Sequence, residues 1–151
     1  MLYELKRNDT FKSIILVFKL KMLIRNIMNP LEKIFLLEKE AADFGFQWEN
    51  TNQIMEQIQS ECHEILEHLH LEHKNKSALQ EEIGDLLHAV FSLCVYCQFS
   101  PEETLNKTLE KFERRLRSVK AIAKEKNLST LQGQSFNELM SIWNLAKKRV
   151  G

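Results

Sequence analysis

Apolar residues recur at intervals of three and four along most of this chain, the spacing that lines one face of an α-helix. Leu31, Ile34, Phe35 and Leu37 form a first such stripe, with charged residues behind it. Asn29-Pro30 supplies a cap and a proline at the first helical position, and Gly45 supplies the stop. After a link containing Phe46 and Trp48, a second helix is predicted from about Thr51 to about Glu72. Its stripe is Ile54, Ile58, Cys62, Ile65 and Leu69. The polar run His73-Lys74-Asn75-Lys76 reads as a turn, and Ser77 with Gln80 reads as a capping box for a third helix ending near Gln98. That helix carries Ile83, Leu86, Leu87, Val90, Phe91, Leu93 and Cys94, which predicts a buried element. Ser100-Pro101-Glu102-Glu103 opens a fourth helix that continues through Leu105, Leu109, Phe112, Leu116, Val119 and Ile122 to Asn127. Ser135 and Glu138 cap a last helix ending around Lys148. The pattern predicts an all-α domain over residues 28–151, an antiparallel bundle of four to five helices joined by short turns.

Residues 1–27 stand apart. They are basic, and their apolar run from Ile14 to Phe18 is broken by Lys19 and Lys21, too short to span a bilayer. We read them as an N-terminal extension ahead of a domain that starts at Met28.

Composition agrees with helices and narrows the partners. Four glycines and two prolines are too few for a strand-and-turn protein. Twenty-one basic residues balance twenty-one acidic ones, so charge gives no support for a nucleic-acid polymer or a membrane as partner. Three cysteines form no framework, which points to a reducing, cytoplasmic setting. Cys94 and Cys97 form a CxxC inside the third helix and read as small buried hydrophobes.

Two carboxylate pairs change the picture. Glu61 and Glu64 on the second helix, and Glu82 and Asp85 on the third, are each spaced i,i+3, so each pair leaves one helix face. Adjacent helices joined by a short turn direct the pairs at each other. Carboxylates gathered in an apolar setting call for a cation or a shift to the neutral form, and four acids converging from two helices most simply mean a divalent metal site. An all-oxygen, strongly anionic set suits Mg2+, or Mn2+, better than zinc, and magnesium sites are commonly completed by substrate phosphates. A positive counterpart lies further on. Lys111, Arg114 and Arg115 sit within one turn or so of each other, and Trp143 and Lys147 are spaced i,i+4 on the last helix. Arginine holds phosphate in a fork and lysine as a point charge. Of the histidines, His63, His68, His70 and His73 read as a solvated helix end and turn, whereas His88, three residues after Asp85, is a candidate support for that acid.

In this order the motifs resemble the MazG family of all-α nucleoside triphosphate pyrophosphohydrolases, from about Met28 to about Lys148. The family's ExxE and ExxD appear as Glu61 to Glu64 and Glu82 to Asp85, its KFxRRF region as Lys111-Phe112-Glu113-Arg114-Arg115-Leu116, and its WxxxK as Trp143 to Lys147. Ser60 and Leu109 depart from the family pattern, where a second glutamate and an asparagine are usual. The resemblance implies Mg2+-dependent cleavage of a nucleoside triphosphate between the α and β phosphates, giving a monophosphate and pyrophosphate. It implies metal binding by Glu61, Glu64, Glu82 and Asp85, phosphate engagement by Lys111, Arg115 and Lys147, and a nucleotide site shaped by Trp143 with Arg114 beside it. It also implies a homodimer or larger homo-oligomer. The alternatives are a dUTPase-like or phosphoribosyl-ATP pyrophosphohydrolase-like enzyme of the same superfamily, or a non-catalytic helical binding and dimerisation module.

Overall fold

The computed structural model describes residues 28–71 and 75–151. The N-terminal extension, residues 1–27, and most of the turn between the second and third helices, with His73, lie outside the described residues. Five helices and no strand are present among the described residues: α1 Pro30–Phe44, α2 Thr51–His70, α3 Lys76–Tyr96, α4 Pro101–Glu125 and α5 Phe136–Val150. The all-α expectation holds. The chain divides after Pro101 into two compact units.

In the first unit the local chemistry sets each helix end. The Asn29 side chain accepts the Leu31 N–H and Pro30 opens α1. Gly45 closes α1 at φ +96°, where its amide reaches Ala42 O and that of Phe46 reaches Ala41 O, a Schellman ending. Asn50 caps α2 through Gln53 N. The start of α3 differs from the sequence reading. Asn75, not Ser77, is its cap, its carboxamide oxygen accepting from Ser77 N and Ala78 N. A short amide acceptor one residue before the helix outcompetes a serine already inside the first turn. At the other end Gln98 takes φ +62°, with Phe99 N bonded to Cys94 O and Gln98 N to Val95 O.

Packing runs along α3, which carries α2 on one side and also meets α1. Helices α2 and α3 are antiparallel. Tyr96 at the end of α3 donates to Glu49 O just before α2, while Glu82 near the start of α3 faces His68 near the end of α2. Ile54, Ala89 and Ser92 are the buried centre. The prediction that α3 is buried throughout needs correction. Ile83, Leu87 and Val90, at i, i+4 and i+7, are 43%, 52% and 39% exposed. Two partner helices cover one stripe of α3, and the neighbouring apolar stripe has no partner among the described residues. Cys97 is likewise exposed, at the helix cap, rather than buried.

In the second unit, Ile122 of α4 packs with Ile142 and Ala146 of α5, and Val119 and Leu131 close over them. Asn127 ends α4 at φ +57°, with Leu128 N on Ala123 O and Asn127 N on Lys124 O. The predicted capping box opens α5: Ser135 Oγ accepts from Glu138 N, and Glu138 Oε2 accepts from Ser135 N. Arg149 forks onto Glu125 at 2.8 and 2.7 Å, tying the two helices together at the surface.

Candidate metal centre and its flanking groove

The acids meet where α2 and α3 run side by side. One carboxylate oxygen each from Glu61, Glu64 and Glu82 lies within 4.8 Å of the others. Glu61 is buried, Glu82 half-buried and Glu64 exposed, so the trio climbs from the helix seam to the surface. Asp85 stands outside the trio, although its charge reaches Glu82. The sequence expectation of four converging acids is therefore met by three that converge and one on the margin.

Burial holds the Glu82 carboxyl above its ordinary value, and the negative charge of Glu64, then of Glu61 and Asp85, adds to this. His68 opposes the shift. The site is thus short of positive charge, and its donors are hard oxygens alone. Both facts fit a divalent cation.

Several residues that hold these acids escape a reading of the sequence by motif. Gln57 Nε2 donates to Glu61 Oε1, one turn along α2. Ser60 Oγ donates to Glu64 Oε1 at 3.3 Å, so the position that departs from the family pattern supplies a hydroxyl to a member of the trio. Spacing of i,i+4 is the signal that flags both. His68 belongs by sequence with the solvated histidines, yet its Nε2 lies 3.6 Å from Glu82 Oε1 and its Nδ1 is buried without a partner among the described residues. His63 and His70 are exposed, as predicted. His88 does not serve Asp85. Its Nε2 lies 3.0 Å from Glu38 Oε1, because α1 packs on that side of α3 and brings Glu38 within reach.

Beside the trio lies a groove of about 800 Å³. Gln57 and Ser60 belong both to its wall and to the support of the acids. Trp48, Gln53, Glu38 and His88 line it further along.

In the second unit Trp143 is the centre of a small cluster. The Arg115 guanidinium sits 5.8 Å from its ring centroid, and Phe112 packs at 6.0 Å with the rings tilted by 49°. Arg115 Nε also donates to Gly151 O at 3.2 Å. This contact and the cation–π geometry fix the guanidinium over the indole. Lys111 and Arg114 are exposed and Lys147 half-buried. The structure therefore brings Arg115 and Trp143 together, and shows no contact joining Lys111, Arg114 or Lys147 to them among the described residues.

Comparison with known proteins follows the same residues. Residues 49–120 match the MazG nucleotide pyrophosphohydrolase domain, a stretch that holds all four acids and the Lys111–Arg115 segment. A nucleoside triphosphate pyrophosphohydrolase of Escherichia coli (strain K12) is 28% identical over 113 residues, covering 75% of this chain and 43% of that protein. The nucleoside triphosphate pyrophosphohydrolase/pyrophosphatase MazG of Thermotoga maritima is 29% identical over 111 residues, covering 74% of this chain and 41% of its own length. The uncharacterized protein YabN of Bacillus subtilis (strain 168) is 34% identical over 70 residues, 46% of this chain and 14% of that one. The chain thus spans less than half the length of these relatives.

Proposed function

We propose that this chain, whose residues 49–120 match the MazG nucleotide pyrophosphohydrolase domain, acts as a member of that family and hydrolyses nucleoside triphosphates between the α and β phosphates, releasing a monophosphate and pyrophosphate. The observation that carries this reading is the carboxylate trio inside the matched segment. In this proposal Glu61, Glu64 and Glu82 hold Mg2+, with Asp85 at the edge of the set, and Mn2+ as a substitute. When bound, the ion supplies polarisation of a phosphoryl oxygen and neutralises developing negative charge. Gln57 and Ser60 hold the Glu61 and Glu64 carboxylates in orientation, and His68 braces Glu82. Lys111, Arg115 and Lys147 bind phosphate oxygens, Arg115 from an orientation set by Trp143, and Arg114 and Trp143 contribute to nucleotide binding. The three free thiols agree with a cytoplasmic enzyme.

The proposed partner, besides substrate, is a second copy of the chain. The apolar stripe Ile83, Leu87 and Val90 supports that reading, since a contiguous apolar face left in water marks an interaction surface. No single helix among the described residues is long and apolar enough to cross a membrane.

The test is a product assay with magnesium and a panel of nucleoside triphosphates. Monophosphate and pyrophosphate should appear in equal amounts and vanish on chelation. Glu82→Ala should abolish turnover while circular dichroism reports unchanged helix. Full activity in that variant removes the trio from the reaction, and release of inorganic phosphate instead of pyrophosphate overturns the bond assignment.

A further inference from the structure

The groove beside the acid trio contains a carboxylate that the proposed metal chemistry leaves unused. Glu38 projects from α1 into the groove wall with its side chain 17% exposed. Its Oε1 is held twice: Ser92 Oγ donates at 2.5 Å, and His88 Nε2 lies at 3.0 Å. Ser92 is itself 1% exposed, and its single hydroxyl hydrogen goes to the closer Glu38 oxygen, with His88 O 3.0 Å from the same Oγ. Glu38 Oε2 has no hydrogen-bond or ionic partner among the described residues. A carboxylate placed by two donors, with its second oxygen unpaired at the wall of a cavity, is built to accept a hydrogen bond from a ligand.

The remaining wall says what kind of ligand. Glu38, Glu49 and Glu56 line the groove, and among the described residues neither Lys nor Arg does. A phosphate chain is repelled by such a wall. Trp48 and Phe46 offer aromatic faces there, and Gln53 and Gln57 offer amides that both donate and accept. Gln57 and Ser60 put one end of the groove a single hydrogen bond from the acid trio. A nucleotide with its phosphates at the acids would therefore place its flat, uncharged part in the groove.

Taking the nucleotide reading above as its basis, we infer that Glu38 is a specificity-determining residue that selects nucleobases carrying an exocyclic amino group, through a hydrogen bond to Glu38 Oε2. Glutamate accepts from the cytosine N4 amino group in the same way elsewhere, and a carboxylate acceptor strengthens the bond. Uracil and hypoxanthine present a carbonyl oxygen at the corresponding ring position. That oxygen meets Glu38 acceptor to acceptor and leaves both desolvated without a bond.

Monophosphates test this without turnover. With the full chain and magnesium, calorimetry should give CMP at least about tenfold tighter binding than UMP, and AMP the same advantage over IMP, which is about 1.4 kcal/mol. In Glu38→Gln, whose amide both donates and accepts, both ratios should fall to within about threefold. His88→Ala, at a side chain 60% exposed and therefore safe for folding, releases one of the two anchors and should narrow the ratios as well. Equal affinities within each pair in the unaltered chain, no binding of any monophosphate, or unchanged ratios in both variants would overturn the inference. Turnover of CTP and UTP separates it from the parent reading. Hydrolysis without discrimination sinks the role of Glu38 and leaves the enzyme intact, whereas selective binding without hydrolysis of any triphosphate does the reverse.

Discussion

Ile54 offers the most direct test of what holds the acids together. It is 0% exposed on α2, two helical turns before Glu61 and on the same face. The packing that buries Ile54 along the α2–α3 seam is the same packing that sets Glu61 and Glu64 against Glu82. Ile54→Ala removes three carbons from a fully buried site. At about 0.8 kcal/mol per buried methylene, the transfer loss is about 2.4 kcal/mol. A cavity term adds to it, and buried isoleucine truncations span about 2–5 kcal/mol. The seam here is only two helices deep and Met55 beside it is 41% exposed, so the surroundings can partly collapse. We expect a loss of about 3 kcal/mol, and about 1 kcal/mol for Ile54→Val. With a urea slope of about 2 kcal/mol per M, Ile54→Ala should lower the unfolding midpoint by about 1.5 M. Magnesium-dependent hydrolysis should survive Ile54→Val and drop in Ile54→Ala even where the protein is still folded, because the trio depends on the seam. A cost below about 1 kcal/mol for Ile54→Ala, or full activity in it, would refute the coupling between core and site.

The helix ends and the pH response give two further tests. Gln98 occupies the left-handed region at φ +62°, which costs a residue with a Cβ about 1–2 kcal/mol. Gln98→Gly should therefore raise the urea midpoint by a net gain of about 1 kcal/mol after the entropy of the added glycine, and a lower midpoint contradicts the strain argument. Glu138 is held below its ordinary value first by the Ser135 hydroxyl and then by the Ser135 N–H. A carboxyl whose folded value is depressed stabilises the fold above its unfolded value and loses that contribution as pH falls through the folded one. Unfolding midpoints of the unaltered chain and Glu138→Gln should therefore differ more at pH 7 than at about pH 3, and an equal gap at both would show that the capping box carries no charge-dependent stability.

Much of this protein is legible in its sequence. The helix boundaries set by Asn29-Pro30, Gly45 and the Ser135–Glu138 box depend on groups within four residues of each other, and local spacing reads such groups well. The cap of α3 lies two residues from where spacing puts it for a related reason: Asn75 and Ser77 are both competent acceptors, and only backbone geometry distinguishes them. The pairing of Glu61 and Glu64 with Glu82 is also legible, because consecutive helices joined by a short turn have few ways to pack.

Long-range placement is not legible in this way. Nothing local to His88 indicates that it meets Glu38 fifty residues earlier, and nothing in the ExxD spacing indicates that Asp85 stands aside from the trio. The exposed stripe of Ile83, Leu87 and Val90 shows the same limit, since hydrophobicity predicts that a face seeks a partner but not where the partner is. By itself the sequence determined the all-α class, the helix ends other than the start of α3, and the acid pairs on α2 and α3, because periodicity and capping act within a few residues. Only the tertiary structure decided which acids converge, that His68 lies beside Glu82, and that Glu38 is pinned by Ser92 and His88 at the wall of a groove. These contacts depend on the rotation and depth at which helices pack, which the residues of one helix do not encode.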